Sequence, residues 1–302
     1  MKRVFLFFEK VLTSPKGIEW IIPILLSPLS LLYCGVVFLN SYRKYLFRRS
    51  YNIPIIGVAN LVLGGSGKTP LVIAIAKQRE RVAVVLRGYG RKSKGTLLVS
   101  KWGEVLENVE SAGDEAMLYS SKLPTSSVIV SEDRIRGIEL AKEIGAEIVI
   151  LDDSYRQHHI LKDIEFLIEV NQKNRFCLPA GGYREKLWIF RKDVRTIREG
   201  LDFTREVYID NPTDKMVLIT AIAKPERLDK YIPNIPKYHF PDHHRFTKKE
   251  ILEILEKEKP KSILTTEKDY PKLQPLEIEA NISLIQLEIN LNKDLLNDIR
   301  RV

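Results

Sequence analysis

The sequence predicts an α/β protein: a mostly parallel sheet with helices on both faces, a second, smaller α/β domain, and an apolar helix near the N-terminus. Short apolar runs alternate with helical segments from Ile53 to Val170, the pattern of βαβ units. A polar stretch, Asp210-Asn-Pro-Thr-Asp214, then precedes a new strand pattern and marks a boundary. Ahead of both, Trp20 to Leu39 runs for twenty residues without a charge. The division implied is a helical stub over 1–50, a core domain over 51–209 and a smaller domain over 210–302.

The stub is basic as well as apolar. Eight Lys and Arg stand against Glu9 and Glu19 in the first fifty positions, so most of the net charge of +9 lies there. Cations flanking an apolar helix suit an anionic membrane surface; nucleic acid calls instead for a basic sheet or recognition helix and is not expected as a partner. Pro23 and Pro28 argue against one straight spanning helix. The reading is therefore a helix from about Pro28 to Arg43 lying in the membrane interface, held by Trp20, Tyr33 and Tyr42, with Arg43 to Arg49 on the cytoplasmic side. No small-residue cleavage site follows, which argues against a removed signal peptide. Cys34 and Cys177, the only cysteines, lack metal-binding spacing and give no disulfide framework, which fits a reducing compartment.

The core domain opens on Ile53-Pro-Ile-Ile-Gly-Val-Ala59, a strand pattern, followed by Asn60-Leu-Val-Leu-Gly-Gly-Ser-Gly-Lys-Thr-Pro70 and the apolar Leu71 to Ala76. Strand, glycine loop and helix start in that order make a phosphate cradle. Backbone N–H groups of Gly64, Gly65, Ser66 and Gly67 can converge on one point, and the helix adds the positive end of its dipole. Lys68 meets the outer phosphates, Thr69 offers a hydroxyl to magnesium, and Pro70 sits in a first turn that has no use for its missing N–H. The general pattern G-x-x-x-x-G-K-[ST] wants glycine at position 62, where this chain has Val62.

Strand patterns follow at Arg81 to Leu86, Ser127 to Ser131 and Ala146 to Leu151, with helical character over Ala112 to Leu123 and Arg134 to Ile144. The last of these strands ends in Asp152-Asp153, on the rim where a parallel sheet binds its ligands. Either aspartate suits magnesium, and either suits a helix cap. A further strand spans Ile164 to Val170, and the smaller domain adds strands at Lys215 to Ala223, Ser262 to Asp269 and Ile282 to Leu287, with a helix from Lys248 to Lys259.

Taken together, Asn60-Leu-x-x-Gly-Gly-x-Gly-Lys-Thr-Pro70, Arg87-Gly-Tyr-Gly90, Gly113-Asp-Glu115, Leu151-Asp-Asp153, Leu178-Pro-Ala-Gly-x-x-Arg-Glu185, Phe240-x-Asp-His243 and Thr266-Glu-Lys-Asp269 resemble the tetraacyldisaccharide 4′-kinases of lipid A biosynthesis. The likeness covers nearly the whole chain in order, and the absent glycine at position 62 is a feature of that family. It implies a P-loop NTPase-like α/β/α sandwich with a second α/β domain, and transfer of the ATP γ-phosphate, with Mg²⁺, to the 4′-hydroxyl of an acylated disaccharide 1-phosphate. It also implies a site at the cytoplasmic face of the bacterial inner membrane; the chain is expected to act as a monomer.

The resemblance makes Asp114 the general base, assisted by His243, with Lys68 gripping the donor and Thr69, Asp152 and Asp153 placing the metal. On residues alone, Asp114 reads as a helix cap and His243 as an exposed loop histidine. Arg87, Arg134, Arg184 and Glu185 match charged family positions and are candidates to contact substrate or nucleotide. The roles of Lys268 and Asp269 stay open. The alternative is a membrane-attached GTPase-like switch in which Thr266-Glu-Lys-Asp269 reads a guanine base. One departure stands out: the family reads Leu-Asp-Asp-Gly-x-Gln-His-x-x-Leu, and this chain Leu151-Asp-Asp-Ser-Tyr-Arg-Gln-His-His-Ile160. The family histidine then falls on Gln157 unless a bulge restores His158, and neither His158 nor His159 is assigned.

Overall fold

The structure, a computed structural model, describes residues 10–62, 67–222, 225–241 and 244–302. Residues Gly64, Gly65 and Ser66 of the phosphate cradle, and His243, lie outside the described residues.

Helix α1 (Ile21–Leu46) is longer than the prolines suggested, a continuous 26 residues. Pro23 sits in the first turn, where no intrahelical N–H is needed. Pro28 removes the donor that would have reached the Ile24 carbonyl, and the Ser27 hydroxyl supplies one instead at 2.7 Å. One face of α1 packs on the core domain. Ser30 donates to the Cys177 carbonyl at 2.7 Å, Tyr33 to the Arg184 carbonyl at 3.0 Å, and Ser41 to the Glu185 carboxylate. Phe38, Tyr42 and Tyr45 close on Phe190, and Phe38 also meets the Trp188 edge at 5.1 Å.

The core sheet takes its strands in the order β4-β3-β5-β2-β6-β1-β7-β8. In chain order these are β1 (Ile55–Ala59), β2 (Val82–Leu86), β3 (Leu97–Lys101), β4 (Glu104–Val105), β5 (Ser127–Val130), β6 (Ile148–Asp152), β7 (Ile164–Ile168) and β8 (Val194–Ile197). The six from β5 to β8 in spatial order are parallel, and β3 and β4 add an antiparallel edge. Every residue of β1, β2 and β6 is buried, because helices cover both faces. On one face, α2 (Lys68–Ala76) follows the phosphate loop, and α3 (Val109–Ala112) leads into α4 (Asp114–Lys122). Ile56 and Val58 of β1 pack there with Leu71, Ile75 and Tyr119. On the other face, Ile138 and Ala141 of α5 (Arg134–Glu143) meet Ile55, Val85 and Val149.

The second sheet runs β11-β10-β12-β13-β9. It comprises β9 (Phe203–Asp210), β10 (Met216–Thr220), β11 (Lys237–His239), β12 (Ser262–Thr266) and β13 (Asn281–Leu291), with helices α6 (Lys248–Glu258) and α7 (Tyr270–Leu273). Because β9 pairs antiparallel with β13 from Phe203 onward, we draw the division between the two units just ahead of β9 rather than at 210. The chain then returns. Helix α8 (Lys293–Arg301) buries Leu295 and Ile299 in the first core, so its last element sews the smaller unit to the larger. Leu295→Ala should therefore destabilise the protein by about 2–5 kcal/mol, read as a lower urea midpoint with the slope unchanged.

Candidate active site

Gly67 adopts φ 75°, a region that favours glycine, and caps the start of α2. Lys68 follows at the first position of that helix. Its ammonium lies 3.2 Å from the Asn60 side-chain oxygen and 3.4 Å from Asp153 Oδ1. Parallel pairing of β1 with β6 sets Val58 against Asp152, so the ends of both strands open on the same rim.

At that rim the two aspartates differ. Asp153 is half-exposed, holds φ 52°, and also faces the Arg184 guanidinium at 3.6 Å. Asp152 is buried; its Oδ2 accepts from the Tyr119 hydroxyl at 2.9 Å, and its backbone carbonyl accepts from Arg134 at 3.3 Å. Burial first, and then the charge of Glu115, push its carboxyl up to about 6. Asp152 Oδ1 is buried with no hydrogen-bond partner, an arrangement that costs free energy unless something else binds it. The Thr69 side chain interacts with Tyr119 from the other side. These hard oxygen donors at the phosphate end fit magnesium. Thr69, Asp152 and Asp153 would hold it, with water and phosphate completing the shell, since no group of three His, Cys, Asp or Glu gathers among the described residues.

Asp114 opens α4 behind Gly113, whose φ of 89° breaks the helix between α3 and α4. Five residues on, Tyr119 of the same helix binds Asp152, so α4 runs from Asp114 to the metal-side carboxylates. Asp114 also meets the smaller unit: Lys272 Nζ lies 3.1 Å from its Oδ2. Arg245, also of the smaller unit, reaches Glu110 of α3 at 2.9 Å. Asn60, Tyr119 and Lys272 are site residues that sequence reasoning left without a role. Tyr119 carries no signal beyond helical spacing, and Lys272 lies three residues beyond a motif whose purpose was open.

The four candidate substrate residues separate into two kinds. Arg87 and Arg184 stand exposed or half-exposed on the rim. Arg134 and Glu185 are 3% and 2% exposed and are engaged by neighbouring protein groups. Arg134 donates from its two terminal nitrogens to the carbonyls of Ser131 and Asp152, while its Nε is buried without a hydrogen-bond partner. Glu185 Oε1 accepts from Ser41, from His158 Nε2 at 2.6 Å and from Trp188 Nε1 at 2.7 Å. Burial disfavours its charge, but these donors outweigh burial and hold it below the usual carboxylate range. His158, left unassigned from sequence, is the hinge of this network. Burial lowers its pKa; since Arg191 can only donate, Nδ1 accepts from it at 2.9 Å, and Nε2 then donates to Glu185.

A cavity of about 1200 Å³ is lined by residues of both sheets. Gly67, Asn171, Arg198, Glu199, Arg205 and Lys268 are among its lining residues. Arg205, from β9, comes so close to Gly67 that a Cβ there would lie 2.5 Å from a guanidinium nitrogen.

The family model for tetraacyldisaccharide-1-P 4′-kinase matches residues 22–198 and 204–302. The chain belongs to the tetraacyldisaccharide 4′-kinase family. It is 41% identical to the Aliarcobacter butzleri tetraacyldisaccharide 4′-kinase over 97% of this chain and 95% of that one. The corresponding Campylobacter jejuni enzyme is 39% identical over 99% and 96%. In three dimensions it is similar to the "apo" form of LpxK from Aquifex aeolicus in complex with ATP, with a TM-score of 0.75, 29% identity, and coverage of 92% of this chain and 98% of that one.

A carboxylate must be ionised to bind magnesium. With Asp152 titrating at about 6, metal affinity is complete above that pH and falls as pH drops through it. Magnesium titrations between pH 5 and 8 should show the apparent affinity weakening by up to about tenfold per unit below pH 6. Tyr119→Phe, which removes a hydrogen bond that favours the anion, should move that fall to higher pH.

Proposed function

We propose that this chain phosphorylates the 4′-hydroxyl of a tetraacyldisaccharide 1-phosphate at a membrane surface, using ATP and magnesium. The observation that carries the reading is helix α4, which joins a carboxylate facing the smaller unit, Asp114, to the carboxylates beside Lys68. Phosphoryl transfer needs the γ-phosphate held, its charge neutralised and the attacking hydroxyl aligned. Lys68 and the loop amides hold the phosphate, and Arg184 and Arg87 add cations on the same rim. Asp114, with His243, takes the proton of the sugar hydroxyl as its oxygen bonds to phosphorus; the bond to the β-phosphate oxygen breaks and ADP leaves with that electron pair. Bound magnesium supplies charge neutralisation on the phosphates. The cavity that Gly67 lines suits the nucleoside end of ATP, since it adjoins the start of α2, where the phosphates would be held.

The guanine-switch alternative fails on Asp269. That residue is wholly buried, with both carboxylate oxygens engaged by Thr220, Ala221, Thr266 and Lys272, so it has no oxygen left to read a base.

The lipid substrate is matched by the surface around α1. One side of that helix is docked on protein from Ser30 to Tyr45, so it cannot be surrounded by lipid along its length. The other side leaves Leu25, Leu29, Leu32, Val36 and Leu39 more than half exposed. The helix is long and apolar enough to cross a membrane, and its docked side supports the reading that it lies in the interface instead. Beside it, Trp188 and Phe190 pack inward while Ile189 is 95% exposed, extending the apolar face. Arg43, Lys44, Arg48 and Arg49 at the C-terminal end of α1 suit anionic lipid on the cytoplasmic side, where ATP is found. Both halves of the site come from one chain, which suits a monomer.

Incubating the purified chain with labelled ATP, magnesium and the disaccharide 1-phosphate should yield a bis-phosphorylated lipid; absence of product removes the reading. Asp114→Ala and His243→Ala should each lower turnover by about 10²–10⁴-fold with ATP binding retained. Replacing Leu25, Leu29 and Leu32 by Ser should lower partition into anionic vesicles at least about tenfold in co-sedimentation, and unchanged partition would refute the interfacial helix.

A further inference from the structure

Phosphate and magnesium binding leave the Thr266-Glu-Lys-Asp269 motif without a task, yet its aspartate is among the best satisfied groups in the protein. Asp269 Oδ2 accepts from the hydroxyls of Thr220 and Thr266 at 2.7 and 2.9 Å and from the Ala221 N–H at 2.9 Å. Its Oδ1 accepts from Lys272 Nζ at 3.0 Å. A carboxylate so completely engaged inside the protein takes no ligand; it fixes whatever it holds.

What it holds is aimed at the other unit. Lys272 Nζ stands between Asp269 Oδ1 and Asp114 Oδ2, and its side chain is 5% exposed. We propose that the motif serves to aim Lys272 at Asp114, and that Lys272 is a positioning residue which keeps the proton acceptor ionised and oriented. Three facts support this role. An ammonium pinned by a buried carboxylate cannot swing to water, so its charge stays on Asp114 throughout the reaction. By occupying Oδ2, Lys272 fixes the plane of the carboxylate and so sets the direction from which a hydroxyl can deliver its proton. Since Lys272 lies on α7 and Asp114 on α4, the acceptor is aligned only while the two units are docked.

The inference rests on Asp114 being the acceptor, and the experiment separates the two. Lys272 faces Asp114 from α7, with Asp269 behind it. Glu115, next on α4, acts on Asp152, and His243 lies outside the described residues. Removing a cation from beside a carboxylate raises its pKa, so the acid limb of the rate profile moves to higher pH. At saturating magnesium, which keeps the metal-side carboxylates ionised, Lys272→Met should lower kcat at neutral pH and shift the acid limb of kcat upward by at least about one unit. Lys272→Arg, which keeps the charge, should leave the limb within a few tenths of a unit of the parent. The double variant Lys272→Met/Asp269→Asn strands no buried charge and should show the same shift, which covers the chance that Lys272→Met fails to fold. Binding of a fluorescent ATP analogue should be unchanged in all three. A fall in kcat with an unmoved acid limb, or parental turnover in the double variant, overturns the proposal. Full activity of Asp114→Ala would instead remove the acceptor assignment beneath it.

Discussion

The site depends on one piece of pairing: β1 lies parallel to β6 with Val58 opposite Asp152. Because parallel strands end on the same edge, the phosphate loop after β1 and the aspartates after β6 emerge together. A shift of one residue would turn the buried sets of both strands to opposite faces, so the register is fixed by the two cores on either side of the sheet. Gly57 shows how tightly. A Cβ there would lie 2.6 Å from the Ser154 hydroxyl and 2.9 Å from the Glu165 carboxylate. The chain beyond Asp153 folds back across β1 at that point, and a side chain would hold it away from the rim.

Beneath the rim lies a run of charge with no catalytic task. Glu165 is fully buried and accepts from Lys162 at 2.8 Å, from Ser154 and from Arg191, which also holds Asp193 and His158. Through His158 the run continues to Glu185 and so to Ser41 on α1. Buried ions add little net stability when paired, but losing one partner costs roughly 3–5 kcal/mol because its mate is stranded. Such a network therefore specifies geometry. Helix α1 is joined by hydrogen bonds to the residue next to Arg184, and Tyr33 holds the Arg184 carbonyl directly. Arg184 in turn faces Asp153, which faces Lys68. The exposed apolar helix and the Lys68 end of the rim thus share one connected frame.

Much of the core was legible in the sequence because its strands are buried on both faces and read as unbroken apolar runs. The helices over Arg134 to Glu143 and Lys248 to Glu258 were legible as well, from one-sided periodicity and an N-cap such as Thr247. Two of the elements missed have partners that lie far along the chain. Strand β9 alternates Thr204, Glu206 and Tyr208 with half-buried residues, and nothing local reveals that its mate is β13, some eighty residues later. Helix α8 follows the expected last strand and returns to a core built by the first two hundred residues. Within the site, the loop lysine, the threonine and the paired aspartates follow from spacing and phosphate chemistry. Asp114 does not: a helix-capping aspartate and an acceptor have the same local sequence, and only the resemblance separated them. For Glu185 and Arg134 a motif position marks a charge without saying whether it faces a ligand or a neighbour.

The two glycines that border the site explain how the second unit takes part without a continuous surface. Gly67 and Gly113 hold φ of 75° and 89°, conformations that cost other residues on the order of 1–2 kcal/mol. In each case the missing side chain leaves room for a close approach, by Arg205 at Gly67 and by the Tyr89 carbonyl at Gly113. Arg205 belongs to the smaller unit, and beyond Gly113 the carboxylate of Asp114 meets Lys272 of that same unit. Of the two glycines, only Gly67 is a place where a missing β-carbon admits a side chain of the smaller unit; at Gly113 the space is taken by the larger unit's own Tyr89 carbonyl. Alanine at either glycine would oppose the backbone angle and the neighbouring contact together, so Gly67 is set by the meeting of the units and Gly113 by the packing of the larger unit's own loops.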